Sequence, residues 1–114
     1  MGYNQYPPPA PTSRKKDLTS TSYTLQSGDE GQILEFDTTS ATTVIIPNDS
    51  TFSFINGTQI DIMQVNTGEI TISPAAGVTL DASDDGFKIR AQWSAAAVIK
   101  RSSNTWVLIG DTIA

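Results

Sequence analysis

The chain has 114 residues, enough for one domain, with a net charge of −5, 38% apolar residues and neither cysteine nor histidine. The two absences exclude disulfide scaffolds, nearly all zinc sites, and Ser-His-Asp or Cys-His nucleophiles. The charge is uneven: residues 1–17 carry three bases against one acid, while residues 18–114 carry four bases against eleven acids, so the body should repel nucleic acid phosphates.

Residues 1–21 read as an extended, Pro-rich, basic arm. Pro7, Pro8, Pro9 and Pro11 fix φ and remove donors, which favours polyproline II and excludes a helix or a central strand. Tyr3 and Tyr6 are spaced three apart, which places both rings on one side of such a helix. Arg14, Lys15 and Lys16 follow as a basic cluster. The functional reading is a docking segment, and the bland one is a solvated leader with a solubilising patch. The segment has no apolar signal core, and no run in the chain approaches the roughly 18 apolar residues that span a bilayer. A soluble protein, not exported by a classical signal and with no membrane partner, is expected.

Residues 22–114 read as a β-domain. Strands are expected at Ser22–Leu25, Gln32–Asp37 and Thr43–Ile46, the last stopped by Pro47, which has no N–H for a ladder. Phe52–Ile55 leads into Asn56-Gly57, a strong hairpin signal, with Gln59–Val65 on the far side. Further strands follow at Glu69–Ser73, Val78–Leu80, Phe87–Trp93, Ala96–Lys100 and Trp106–Ile109, the last two forming a hairpin. About ten short strands, mainly antiparallel, predict an all-β sandwich or barrel. Alternation assigns Phe36, Ile45, Phe54, Ile62, Ile72, Leu80, Ile89, Trp93, Ile99, Trp106 and Leu108 to the core.

Chemistry finds little to work with. Glu35 and Asp37 share a strand face, but Leu34 and Phe36 make the opposite face apolar, so the acids belong to the wet side. Asp81, Ser83, Asp85 and Gly86 match the first half of a calcium loop. Gln92 stands where the bidentate glutamate belongs, so a tight Asp/Gly turn is the better reading. No catalytic residue, metal or cofactor is assigned.

The runs Asn66–Ile72, Ala76–Leu80, Ala95–Lys100 and Asn104–Asp111 resemble the small β-domains of tailed-bacteriophage virion proteins, found in head-decoration proteins and in tail or head fibres. The resemblance implies a homotrimer without enzymatic activity. A β-domain alone behind a short arm looks like a capsid decoration (cement) protein, bound to the outside of the head and stabilising contacts between major capsid subunits. The alternative is a receptor- or glycan-binding tip of a fibre. On the decoration reading Tyr3, Tyr6, Pro7, Pro8 and Pro9 anchor the arm on the major capsid protein, and Arg14, Lys15 and Lys16 steer it onto acidic surface.

Overall fold

The structure, a computed structural model, describes residues 13–114. Eleven strands make up nearly all of its regular structure: β1 (Lys15–Leu18), β2 (Ser22–Thr24), β3 (Ile33–Phe36), β4 (Thr42–Ile46), β5 (Gln59–Gln64), β6 (Ile70–Pro74), β7 (Thr79–Ala82), β8 (Lys88–Ile89), β9 (Ala95–Ser102), β10 (Thr105–Gly110) and β11 (Thr112–Ile113). A single 3₁₀ turn, Ser83–Asp85, follows β7. The fold is all-β, as the alternation predicts.

The strands form a six-stranded sheet, in the order β1-β3-β5-β9-β10-β7, and a five-stranded sheet, in the order β11-β8-β6-β4-β2. From β1 to β8 the chain changes sheet at every connection. It therefore winds as a two-sided coil, and up to β6 each turn lays one strand beside the last in each sheet. Because successive turns run the same way, β1, β3 and β5 are parallel neighbours, as are β2, β4 and β6. The β9–β10 hairpin closes the coil antiparallel to β5, and β7 returns to pair parallel with β10.

This corrects the expectation of mainly antiparallel pairing: five of the nine ladders are parallel. Alternation reports that one strand face is buried, not which strand lies alongside. Two expected strands also differ. Residues 52–55 form no strand but belong to the loop between β4 and β5, and Asn56-Gly57 is a turn within that loop's end, with Thr58 N–H donating to Ile55 O at 3.1 Å. The expected Phe87–Trp93 strand contracts to β8. At the N-terminal side the sheet begins before residue 22. Lys15–Leu18, read from sequence as arm, form an edge strand whose Arg14 and Leu18 carbonyls accept from Ile33 and Asp37 N–H, both at 2.8 Å.

One apolar core lies between the sheets. Leu34, Phe36, Ile60, Ile62, Val98 and Leu108 face it from one side, and Val44, Ile46, Ile70, Ile72 and Ile89 from the other. Each such side chain contributes roughly 1.5–3 kcal/mol on burial. Trp106 sits edge-on to Phe54, centroids 5.6 Å apart, and Phe54 edge-on to Phe52 at 4.6 Å. Phe36, Phe54, Ile62, Ile72, Leu80, Ile89, Trp106 and Leu108 are buried as expected. Ile45, Ile99 and Trp93 are not. In β4 the inward residues are Val44 and Ile46; in β9 they are Ala96, Val98 and Lys100.

Lys100 explains the second slip. It is only 2% exposed, an unusual place for an ammonium, and it survives there because its donors are taken. Nζ donates to Phe54 O at 2.7 Å, to Asp49 Oδ1 at 2.8 Å and to Ser53 Oγ at 3.3 Å. The lysine thus pins the irregular β4–β5 loop onto β9. That loop holds Phe54 over Trp106 without help from a strand ladder.

Candidate interaction surface

The basic cluster is divided by the fold. Lys16 Nζ donates to Asp29 Oδ1 at 2.6 Å, and Asp29, fully buried, also accepts from the Tyr23 hydroxyl at 3.0 Å and from Gln26 N–H at 2.8 Å. Burial, then the hydrogen bond and charge of Asp29, push the Tyr23 phenol well above its ordinary range. Lys16 is therefore an internal clamp joining β1 to the loop after β2, not a steering charge. Lys15 stays on the surface, 2.7 Å from Asp17 and 3.6 Å from Glu35, and its hydrogen bond to Asp17 raises its pKa. Arg14 contributes its carbonyl to β3. The anchors assigned from sequence, Tyr3, Tyr6, Pro7, Pro8 and Pro9, lie outside the described residues. Ser13 adds a detail at this edge. Its hydroxyl accepts from Lys15 N–H at 3.1 Å and donates to Lys15 O at 3.0 Å, occupying backbone groups that an edge strand otherwise offers to another chain.

A different surface stands out on the outer face of the six-stranded sheet. Register places Ile33, Asp61, Ala97 and Ile109 in one row across β3, β5, β9 and β10, with Glu35, Met63 and Ala95 in the next. The short alanines sink the middle of the face below its rims. The result is a groove of about 290 Å³ walled mainly by Ile33, Met63, Ala95, Ala97 and Ile109. Asp61 is its one charged group and takes the Gln59 side-chain amide at 3.1 Å. Gly110 closes one end at φ 128°, where a Cβ would meet Ala96 Cα at 2.7 Å, so only glycine lets β10 approach β9 this closely. The outer face of the other sheet presents Ser22, Thr24, Thr43, Thr71 and Ser73, with Ile45 and Ile113 as its apolar members.

Trp93 lies just beyond the β5–β9 ladder, its N–H donating to Gln64 O at 2.6 Å. Ser94 N–H bonds Ala91 O at 3.0 Å, which closes a β-turn over residues 91–94. Trp93 has φ 70° while Gln92 is not in the positive-φ region, so the turn is type II with tryptophan in the position that calls for glycine. The indole is 68% exposed. The turn is braced by Asp111, which takes Arg90 Nε and Nη2 at 2.8 and 2.7 Å and Ser94 Oγ at 2.8 Å. Those bonds, Arg90 first, lower the Asp111 pKa to about 2, and the same ion pair raises that of Arg90.

Among the described residues no three acidic side chains are placed to hold a metal ion, and no helix is long and apolar enough to cross a membrane. The Asp81–Gly86 stretch is the end of β7 plus the 3₁₀ turn, with Asp84 and Asp85 at φ 55° and 52°. No protein-family model matches the chain, and no curated protein matches it. Sequence reasoning missed both the groove and the exposed tryptophan. The run Ala95-Ala96-Ala97 held a signal for the first, since small residues on the outer face of a strand between larger ones make a hollow.

Proposed function

We propose that the protein is a non-enzymatic structural component of a tailed-bacteriophage virion, a capsid decoration protein that binds the outside of the head. The observation that carries this reading is the groove on the outer face of the six-stranded sheet. An apolar trough on an otherwise Thr/Ser-rich β-body suits a protein surface better than a small polar substrate. The resemblance of the strand runs to virion β-domains supplies the assembly. The mechanism is energetic: contacts made only with the assembled shell stabilise it by linkage, and a homotrimer multiplies them through effective concentration. The tyrosines and prolines of residues 3–9 anchor on the major capsid protein, and steering falls chiefly to Arg14, since the Lys16 ammonium is committed to Asp29 and that of Lys15 to Asp17 and Glu35.

A second reading, the glycan-binding tip of a fibre, draws on Trp93, because an exposed indole stacks on sugar rings. The polar side chains of its turn are already engaged, Arg90 and Ser94 with Asp111 and Gln92 with Val65 O, which favours decoration. Quantifying the protein in separated heads and tails of purified virions tests the choice. Decoration predicts many copies on the head. A few copies confined to the tail would overturn it in favour of the fibre tip.

A further inference from the structure

Two features of the outer surface complement each other: a strained, exposed tryptophan and an apolar groove. We propose that Trp93 of one copy seats in the outer-face groove of a second copy, making the chain self-associating through a knob and a hole that it carries itself. The inference rests on the proposed function in reading that face as a protein-docking surface, and it gives the groove to a neighbouring copy of the decorating oligomer, leaving the capsid contact to the N-terminal segment.

The knob is costly to keep. A left-handed backbone disfavours any residue with a Cβ by roughly 1–2 kcal/mol, and bulky residues are rare there. Exposing an indole to water forfeits its burial as well. The Gln64 carbonyl and the Asp111 brace hold the turn, but among the described residues none buries the indole: Trp93 is exposed while the core is built on Trp106. Strain held at an exposed aromatic points to a contact made outside the chain.

The hole fits this occupant in size and chemistry. A groove of about 290 Å³ has room for an indole. Its walls are aliphatic, and its one charged group is an acceptor, the half-buried Asp61. An indole is the side chain with that signature, an apolar body and one N–H donor. A sugar would bring several hydroxyls to walls whose one charged partner is Asp61. Among the described residues Trp93 is the only exposed aromatic, so a second copy supplies the matching group without invoking another protein. Ile109, 50% exposed on the rim, gains burial in the same contact.

Two variants test the knob and the hole separately. Trp93→Gly removes the indole and suits the type II turn, so folding is not at risk. Ala97→Leu fills the groove and leaves Trp93 untouched. Sedimentation velocity of the full chain, up to roughly 100 μM, reads self-association, and tryptophan emission reads burial of Trp93 against the constant Trp106. Wild type should associate with a blue shift, and each variant should weaken association by roughly tenfold or more while keeping the β-sheet circular dichroism spectrum. A wild-type monomer across that range, or association unchanged in both variants, overturns the inference. A monomer whose Trp93 is needed for binding on a glycan array would replace it with sugar recognition. A monomer that still decorates heads sinks self-docking and leaves decoration standing; an associating chain that never binds heads does the reverse.

Discussion

Trp93 and Lys100 are the two residues where local physics runs against pattern, and both carry predictions. Trp93→Gly should not destabilise the monomer. Relief of left-handed strain outweighs or cancels the greater chain entropy of glycine, for a net change between zero and about +1 kcal/mol in urea denaturation. A loss of stability in Trp93→Gly would show that the indole supports its own fold. Lys100→Met should cost about 3 kcal/mol, because it strands the Phe54 carbonyl and leaves Asp49 without its cation. The Lys100 hydrogen bond is the chief cause that lowers the Asp49 pKa. Its stabilisation is therefore complete above the ordinary carboxylate range and is lost as pH falls through the lowered value, an acid sensitivity that Lys100→Met should blunt. Tyr23 has the opposite sign. Its phenol is raised in the folded state, so the stability it brings is full below about pH 10 and falls above it, by at most about 1.4 kcal/mol per pH unit. Tyr23→Phe should flatten that alkaline slope in denaturation measured between neutral and alkaline pH. Neither misread residue was legible from alternation. A lysine at an inward position invites the opposite register, which is why Ile99 was expected inside, and an isolated tryptophan near a strand end is assigned to the core by hydrophobicity alone.

At the scale of elements, β1 changes where the body begins. Removing residues 1–12 should leave the β-domain folded, because every described hydrogen bond of β1 to β3 is retained. Removing residues 1–18 takes away those bonds and the Lys16 partner of buried Asp29. It should cost several kcal/mol, since one half of a buried pair is lost. Hydrogen exchange at Ile33 and Asp37, whose N–H groups bond to Arg14 and Leu18, reads the outcome directly; equal protection in both truncations would contradict the role given to β1. The strand Lys15-Lys16-Asp17-Leu18 escaped the sequence because three charges in four residues look solvated. Their charges guard an edge, where lysines are common. Most other strands were visible as alternating runs. Phe52–Ile55 was not what it seemed, because two phenylalanines two apart fit a loop folded over Trp106 as well as a strand.

For the molecule as a whole, the all-β class and the position of the core followed from period-two alternation, while the two-sided coil did not. A turn between two alternating runs looks the same whether the chain folds back as a hairpin or crosses to the opposite sheet. The groove depends on that topology, because β3, β5, β9 and β10 come together only through the closing of the coil by the β9–β10 hairpin. On the proposed function, this surface and the N-terminal segment serve decoration of a phage head. On the decoration reading, the direct measurement adds the purified full chain to undecorated phage heads and counts bound copies at saturation. Decoration predicts a fixed, saturable occupancy that raises the heat resistance of the heads, is strongly weakened by deletion of residues 1–12, and is weakened again by Ile109→Asp on the groove's rim. Absence of binding, or occupancy that neither change diminishes, would contradict it.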